Sequence, residues 1–561
     1  MGREEFFEEI NEVLKNRKLS KNKISRLKIE LCNKYKLKQI PTDFEVLLNA
    51  RGGDLKYLKQ LQTKPTRTIS GVAVVAIMTM PLPCPHGKCS YCPGGVNSVF
   101  GDMPQSYTGK EPATMRGIRN KYDPYLQIFN RLEQYLILGH DIDKVELIVM
   151  GGTFPSFKNE YKEDFVKCSF KAFNDFSKIF FDGNRFKLFE FKDFFELPGE
   201  VGNVDRTKAI QNKMGKLKGK TSLEAEQRKN ESSKVRCVAI CIETRPDYCK
   251  EKHINEMLRF GTTRVELGVQ SLDNKVLRKI KRGHGVEESI RATQLLKDSL
   301  LKVGYHMMPG LPLTTLEQDL EMLKELFSNP DFRPDALKIY PCMVMPGTEL
   351  YEDYKKGKYK PITTEDAAEL IIKFKRFVPK YCRIMRVQRD IPSYLAEAGV
   401  DMTNLRQYVH NMMEKRGVKC ECIRCREPRS KLIGLKDVKI VEESYEASNG
   451  TEVFISAEDT KQDVLIGFCR LRIPYKPFSK EITNRSAGIR ELHVYGSAVP
   501  LGEKGIIQHR GFGKRLLQKA EEIAKERYDK NKMLIISGIG AREYYRKLGY
   551  EKQDVYMVKR L

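Results

Sequence analysis

The chain has 561 residues, of which 40% are hydrophobic and 31% are charged, and this composition excludes collagen-like and intrinsically disordered proteins. At the usual domain size the length corresponds to about three or four domains. No stretch approaches the roughly 18 consecutive apolar residues of a membrane span, and residues 1–10 lack the layout of a secretory signal. We therefore expect a soluble, cytoplasmic protein without a membrane partner.

The chain is strongly basic, and the excess is dense near its start. Lys and Arg number 100 against 74 Asp and Glu, a net charge of +26, which favours a polyanionic partner such as nucleic acid. Phe6, Phe7 and Ile10 recur at helical spacing, and the segment from Lys15 to Lys38 inclusive contains ten basic residues and one acid. Residues 1–70 are predicted to be a basic helical arm that binds RNA; a solvated helical face is the alternative.

Between residues 71 and 390, short apolar runs alternate with helical stretches, which predicts a parallel sheet covered by helices. Gly, Pro and polar motifs follow these runs, at the carboxyl ends of the predicted strands. In β/α-barrel enzymes the active site lies at these ends. We predict a complete or partial β/α barrel, with residues 159–234 as an insertion because they exceed a normal crossover. The runs are Val72–Met78, Val145–Met150, Val238–Ile242, Val265–Val269, Val303–Met307, Leu337–Tyr340 and Ile384–Val387.

A cysteine-rich loop follows the first apolar run and contains Cys84, Cys89 and Cys92. Three thiolates can hold a four-iron cluster and leave one iron open to an outside ligand, because such a cluster takes one cysteine per iron. Zinc with His86 as the fourth ligand is the alternative. The position of the loop at the predicted catalytic face favours the iron–sulfur cluster.

A second group, Cys420, Cys422 and Cys425, has zinc-knuckle spacing and lies in the predicted linker, residues 391–435. A small segment with little core gains stability from a bound metal, so a structural zinc is expected, with Cys382 or Cys342 as the fourth ligand. Free buried thiols and a second iron–sulfur cluster are the alternatives.

The last unit, residues 436–561, is predicted to contain strands, a glycine-rich turn, a helix beginning at Lys514, another strand and a tyrosine-rich helix. The turn Gln508–Gly513 opens that helix. Free N–H groups at a helix start suit a pyrophosphate, and glycine lets it approach closely. The sequence therefore favours an α+β domain that binds a phosphorylated cofactor.

The barrel motifs resemble the radical S-adenosylmethionine (SAM) superfamily and, within it, the catalytic subunits of Elongator. Four residues rather than the usual three separate the first two cysteines of the loop. The motifs that carry the resemblance are Cys92-Pro-Gly-Gly95, Gly151-Gly-Thr153, Glu243-Thr-Arg-Pro-Asp247, Glu266-Leu-Gly-Val-Gln-Ser271, Lys281-Arg-Gly-His284 and Arg389-Asp-Ile-Pro392.

This resemblance implies roles for several residues. Cys84, Cys89 and Cys92 would hold a [4Fe–4S] cluster whose open iron binds SAM. Further SAM contacts are implied for Gly151 and Gly152. At the barrel mouth, the expected cofactor and catalytic residues are Gln270, Glu243 and Arg245, while Lys281 and Arg282 are expected to contact RNA phosphates.

The C-terminal unit resembles the GNAT acetyltransferases, which bind acetyl-CoA. In this fold the glycine-rich turn grips the coenzyme, the preceding strand lies beside it, and a tyrosine pair lies near the thioester. Tyr544 and Tyr545 match that pair and are expected to be catalytic. The expected coenzyme-binding residues are Glu491, Leu492, His493, Val494, Gln508, Arg510, Gly511, Phe512, Gly513, Lys514 and Tyr544.

Together the two resemblances imply an enzyme that carboxymethylates C5 of the wobble uridine of tRNA, using SAM-derived radical chemistry and acetyl-CoA. The anticodon stem-loop would be its RNA partner, with Elongator-type subunits or a second copy as possible protein partners. One alternative is a protein lysine acetyltransferase in which the barrel is a scaffold and Glu491 is the base. Another is a non-enzymatic RNA-binding component of a larger assembly.

Overall fold

The computed structural model describes residues 2–37, 39–50, 61, 71–199, 203–428, 437–495 and 511–561. The chain folds into a small helical unit, a parallel barrel-like sheet and a second mixed sheet. Among these residues, no helix is both long and apolar enough to cross a lipid bilayer.

The N-terminal residues form helices α1 (Gly2–Asn16), α2 (Lys21–Lys34) and α3 (Asp43–Leu48). The Ser20 hydroxyl accepts from the Lys23 N–H and caps α2, because the first N–H groups of a helix lack partners within it. The apolar stripe of α1 packs with that of α2 into a core of their own. This confirms the predicted helices, while RNA binding stays a prediction.

The barrel sheet contains seven parallel strands in the order β1-β4-β7-β8-β9-β10-β11. Every predicted apolar run is one of these strands. The sheet is open, because β1 and β11 are its edges, so the partial form of the predicted barrel is confirmed. The strands up to β11 are β1 (Ala73–Met78), β2 (Gly95–Ser98), β3 (Gly101–Met103), β4 (Lys144–Met150), β5 (Phe181–Asp182), β6 (Arg185–Phe186), β7 (Arg236–Thr244), β8 (Arg264–Gln270), β9 (Lys302–Met307), β10 (Ala336–Ile339) and β11 (Arg383–Arg386).

Helices cover the outer face of this sheet. Most of them have apolar side chains that join the core of the sheet. The helices up to the end of the linker are α4 (Pro112–Arg119), α5 (Pro124–Ile137), α6 (Asn159–Phe180), α7 (Leu188–Phe194), α8 (Val204–Leu217), α9 (Leu223–Asn230), α10 (Glu251–Arg259), α11 (Asn274–Lys279), α12 (Val286–Asp298), α13 (Leu316–Ser328), α14 (Glu349–Lys355), α15 (Thr364–Lys375), α16 (Leu405–Lys415) and α17 (Ile423–Arg426).

The long segment between β4 and β7 begins with an ordinary crossover helix. Helix α6 packs on α5 through an edge-to-face contact between Phe176 and Phe129, with ring centroids 5.3 Å apart. The additional part starts at the β5–β6 hairpin and continues through α7, α8 and α9. Phe191 and Phe195 of this part pack against Phe180, so a phenylalanine cluster attaches the additional helices to the barrel.

The C-terminal sheet has the order β12-β13-β14-β15-β16-β18-β17. Its first four strands are antiparallel, and α18 makes the crossover from β15 to the parallel strand β16. The predicted strand from Glu491 lies within β15, and its residues beyond 495 are outside the described part. The elements are β12 (Val438–Ala447), β13 (Gly450–Asp459), β14 (Val464–Ile473), β15 (Ser486–Val494), α18 (Phe512–Glu526), β16 (Lys532–Ile535), α19 (Arg542–Arg546), β17 (Glu551–Gln553) and β18 (Tyr556–Arg560).

Buried ion pairs fasten the second sheet to the N-terminal end of the barrel. Arg490 of β15 donates two hydrogen bonds, of 2.8 and 2.6 Å, to the carboxylate of Asp335, immediately before β10. Arg472 of β14 donates to Asp298 at 2.6 Å, and Lys302 at the start of β9 donates to Glu491 at 2.5 Å. Charges removed from water must be paired, so these contacts determine how the two sheets dock.

Replacing Arg490 with Met should lower the free energy of unfolding by about 3–5 kcal/mol, because the Asp335 carboxylate would lose its bidentate partner while buried. The chain has no tryptophan, so urea unfolding would be followed by circular dichroism. The matched control is Arg485→Met, since Arg485 pairs with Asp529 on the surface, with side chains 52% and 87% exposed; its loss should stay below about 1 kcal/mol. Equal losses in the two variants would contradict the role given to the buried pair.

Candidate active site

A cavity of about 1490 Å³ runs through the barrel interior and continues into the C-terminal sheet. Its lining includes Cys84 and Gly152 at the carboxyl end of the barrel strands. It also includes Gly511 and Tyr544 from the C-terminal unit. The two groups of residues predicted to bind cofactors therefore face one continuous space.

The cysteine loop forms one end of this cavity. The Cys92 Sγ accepts a hydrogen bond of 3.2 Å from the Ser106 N–H, and Cys84 Sγ lies 3.6 Å from the Thr153 Oγ1. The Arg282 guanidinium lies 3.6 Å from Cys89 Sγ. Burial raises the pKa of the Cys92 thiol, so a bound cation would be needed to hold it ionised.

Arg282 is buried beneath the loop and donates to the Gly268 carbonyl with a 3.2 Å bond from Nε. The expectation that it contacts RNA phosphates is therefore wrong, because its guanidinium faces the protein interior. Lys281 is exposed and pairs with Glu349 at 2.7 Å. Adjacent basic residues on a loop point in different directions, and the sequence alone does not distinguish them.

Several polar atoms beside the cysteine loop are buried and line the cavity without a hydrogen-bond partner among the described residues. They include Nη1 of Arg245 and Oε1 of Gln270. The other nitrogens of Arg245 grip Asp247 at 2.9 and 2.8 Å. Buried orphan groups are rare in proteins, so these atoms suit a polar ligand that carries both a donor and a carboxylate.

The glycine pair after β4 lies against the same space. Gly151 has φ +108 and Gly152 has φ +60, which is backbone that favours glycine. A Cβ on Gly151 would lie 2.6 Å from Thr79 Oγ1. The structure thus brings Gly151, Gly152, Gln270 and Arg245 together around the cysteine loop, as the sequence analysis expected.

The middle of the cavity holds charged side chains that the sequence analysis did not group. Lys338 of β10 lies between two carboxylates; its Nζ is 2.6 Å from Glu243 Oε1 and also contacts Glu266. Burial opposes the ionisation of Glu266, but Lys338 and Arg264 hold its pKa well below the usual range. His306 Nε2 lies 2.9 Å from Glu266 Oε2. Glu243 therefore lies within this ionic layer, where it also accepts a 3.3 Å bond from Tyr107 Oη.

The other end of the cavity is the groove beside α18. Gly511, with φ +84, directly precedes the helix, whose first turn has no side-chain cap and lines the groove. A Cβ on Gly513 would lie 2.9 Å from the Tyr544 Oη. Tyr544 is 42% exposed, whereas Tyr545 is buried against it and against Tyr550. Gln508 and Arg510, also predicted here, lie outside the described residues.

Strand β15 forms the wall opposite α18 and includes four predicted residues. Burial raises the pKa of Glu491, but Lys302 and Arg470 outweigh it and lower the value to about 2. Burial lowers the pKa of His493 to about 4. Leu492 and Val494 line the same wall, and Phe512 and Lys514 of α18 also line the cavity. Glu491 is thus fully ionised at neutral pH and is a weak base.

Family models match almost the whole chain: ELP3 N-terminal domain (residues 4–69), radical SAM superfamily (83–326), radical SAM C-terminal domain (334–415) and acetyltransferase (GNAT) family (425–550). The tRNA uridine(34) acetyltransferase of Methanocaldococcus jannaschii is 49% identical over 98% of this chain and 96% of its own length. The Elongator complex protein 3 of Saccharomyces cerevisiae is 44% identical over 94% and 90%. The chain belongs to the Elongator protein 3 family.

A solved member of the Elongator protein 3 family shares the architecture. The archaeal Methanocaldococcus infernus Elp3, with an N-terminal deletion (1–46), superposes with a TM-score of 0.71 at 45% identity, over 88% of this chain and 100% of that one. The fold predicted from sequence, a radical SAM partial barrel with a GNAT unit, is thereby confirmed. A radical SAM domain implies a [4Fe–4S] cluster and SAM, and a GNAT domain implies acetyl-CoA.

The second cysteine group, Cys420, Cys422 and Cys425, brings its three sulfur atoms within 4.8 Å of one another. Zinc–sulfur bonds of about 2.3 Å in a tetrahedron place the sulfurs about 3.8 Å apart, which lies within this limit. Lys375 Nζ lies 3.5 Å from Cys425 Sγ. Cys382 adjoins the group, because its carbonyl accepts from the Ile423 N–H at 3.0 Å. Cys342 lies instead in the apolar cluster of Cys89 and Cys92, so it is wrong as the fourth ligand.

Replacing Gly513 with Val should weaken acetyl-CoA binding at least tenfold, because the side chain would fill the groove between α18 and Tyr544. Titration calorimetry measures the dissociation constant. Gly215→Val is the matched control, since a Cβ at this helical position of α8 meets no atom within 4 Å. Unchanged affinity in the Gly513 variant would place the coenzyme elsewhere.

Proposed function

We propose that this protein carboxymethylates C5 of uridine 34 in tRNA, with acetyl-CoA as the carbon donor and SAM as the radical source. The observation that carries the proposal is the continuous cavity between the cysteine loop and the GNAT groove. An acetyl group bound in the groove reaches the radical end without leaving the protein. The relatives named tRNA uridine(34) acetyltransferase support the same substrate.

The residues along the cavity would have different roles in cofactor binding. Cys84, Cys89 and Cys92 would hold the cluster, and the unpartnered atoms of Arg245 and Gln270 would bind and orient SAM. The bound cluster and SAM supply the radical chemistry that activates the acetyl methyl group. The barrel walls would surround the reactive carbon and limit its contact with other molecules.

At the groove end, the N–H groups of α18 would bind the pyrophosphate of the coenzyme, and Gly513 leaves room for it. Tyr544 would contact the thioester from the opposite side. The buried ring of Tyr545 would position Tyr544 through their edge-to-face contact, with centroids 5.2 Å apart.

The basic N-terminal helices would hold the RNA. Lys23 and Arg26 of α2 are exposed, and contacts from such side chains to phosphates contribute affinity that falls with salt. The uridine would leave its stack to enter the cavity, since enzymes that modify a base take it out of the stack. Elongator-type subunits or a second copy would complete the RNA cradle.

Lysine acetylation is the weaker candidate. The Glu491 carboxylate, expected to be its base, is held by Lys302 and Arg470 with a pKa of about 2. A general base works best when its pKa is near the operating pH. The ionic partners of Glu491 therefore favour a role in docking the two sheets.

The proposal is tested by reconstituting the protein anaerobically with iron and sulfide, and then adding reductant, SAM, acetyl-CoA and unmodified tRNA. Mass spectrometry of the digested RNA should find a carboxymethyl-type adduct on uridine 34. Cys89→Ala should abolish both the adduct and the iron chromophore. Cys168→Ala, a buried cysteine on α6, should keep them. Acetylated protein without modified RNA would instead support the lysine acetyltransferase.

We also propose that Cys420, Cys422 and Cys425 bind a structural zinc, supported by their compact spacing. Cys422→Ser should lower the zinc content from about one ion per chain to near zero and lower the melting temperature, because metal binding adds to folding free energy. Plasma mass spectrometry measures the metal. Cys32→Ser, in the N-terminal core, should retain it; retained zinc in both variants would refute the site.

A further inference from the structure

Four ionisable side chains from adjacent strands form one layer in the barrel interior. Glu243 of β7 is paired in register with Glu266 of β8, and His306 of β9 with Lys338 of β10. Barrel interiors are normally filled by branched aliphatic side chains. A charged layer is costly to bury unless its members are paired, and such clusters in a cavity mark candidate functional sites.

The layer provides its own cation. Glu243, Glu266 and His306 bring three ligand atoms within 4.8 Å of one another, a spacing that also suits a metal. However, the Lys338 ammonium contacts both carboxylates, and a positive charge already occupies the centre. An ammonium has three N–H donors, and the two carboxylates take two of them. The third is available to a carbonyl oxygen in the cavity.

The hydrogen bond to Glu266 sets the tautomer of His306. An ionised carboxylate only accepts, so Nε2 carries the proton and Nδ1 presents a lone pair. The groups facing the imidazole are Glu266 at 2.9 Å, Glu243 at 3.9 Å, Lys338 and the ring of Tyr340. Burial and then Lys338 lower the His306 pKa, so the ring is neutral at pH 7. Arg264 also pairs with Glu266, at 3.3 Å, so Lys338 and Arg264 together balance the two carboxylates beside the neutral ring.

The layer lies between the two ends of the cavity. Lys302 starts β9 and contacts Glu491 on the wall of the GNAT groove. His306 is four positions further along the same strand, ~13 Å at about 3.3 Å per residue. Beyond it lie Met308 and the cysteine-loop end. A thioester that extends from the groove towards the radical end therefore passes His306 and Lys338.

We propose that His306 is the general base, and Lys338 the oxyanion donor, for hydrolysis of the thioester. The inference rests on the proposed function, in which the thioester of acetyl-CoA lies in the barrel beside bound tRNA both before and after its methyl carbon is joined to uridine. Water adds to the carbonyl carbon as Nδ1 of His306 takes its proton, and Lys338 donates to the carbonyl oxygen. The carbon–sulfur bond then breaks, and His306 returns the proton to the leaving thiolate. The products are a carboxylic acid and free coenzyme A, with no change of oxidation state.

The test follows thiol release from acetyl-CoA in the presence of unmodified tRNA, without SAM or reductant, so it does not depend on the cluster. His306→Ala should lower the rate at least ~100-fold, as expected for loss of a general base. Added imidazole should restore part of that rate by filling the vacated site. His253→Ala is the matched control, because His253 lies on α10 and outside the cavity; it should release thiol as the wild type does.

The pH profile separates a base from a packing role. The wild-type rate should fall in acid with an apparent pKa below 6.5, histidine's ordinary value, because a protonated ring cannot accept the proton. His306→Ala should lose that inflection. Lys338→Gln is the second variant; it should lower the rate and keep an inflection that moves to higher pH, because Lys338 lowers the His306 pKa.

The assignment would be overturned if His306→Ala released thiol at the wild-type rate, or if imidazole did not restore part of a lowered rate. So would the absence of tRNA-dependent thiol release in the wild type. Failure of the proposed function is recognised separately, as a wild-type protein that binds acetyl-CoA and tRNA yet forms no adduct on uridine 34. Circular dichroism and acetyl-CoA affinity of each variant establish that it is folded.

Discussion

The buried carboxylate of Asp335 is the contact on which the rest of the structure depends. It precedes β10, and Arg490 and Arg470 of the C-terminal sheet hold it ionised in the interior. An unpaired charge at this depth would be strongly destabilising, so these ion pairs hold the barrel and the second sheet in one relative position. That position joins the barrel interior to the groove beside α18.

The docking also explains why Glu491 stays ionised and is a weak base. Its partners, Lys302 and Arg470, come from opposite sides of the interface. The wall that carries Glu491 also opens into the barrel, so a coenzyme bound in the groove as proposed would direct its reactive end towards the cysteine loop. The ion pairs that stabilise the interface therefore also keep the groove open to the barrel.

Much of the fold was predictable because the barrel strands are buried or half-buried almost throughout, which requires a short apolar run between turn residues. The cysteine loop, the glycine pair and the α18 turn were predictable because backbone geometry and metal chemistry restrict residue type at close spacing. The ionic layer was not: Glu266, His306 and Lys338 each stand alone within an apolar run. Only their adjacency across strands shows that they compensate one another. Arg282 and Cys342 were misplaced because sequence proximity to a motif does not give side-chain direction.

By itself, the sequence determined the order of the elements, the two cysteine groups and the two cofactor-binding signatures, because these depend on local spacing and periodicity. Tertiary structure decided that both signatures open into one cavity, since this depends on ion pairs between residues 155 positions apart, as in Asp335 and Arg490. It also decided which buried charges face one another. Long-range pairing leaves no local pattern along the chain, because each buried charge is compensated by a partner that is distant in the sequence.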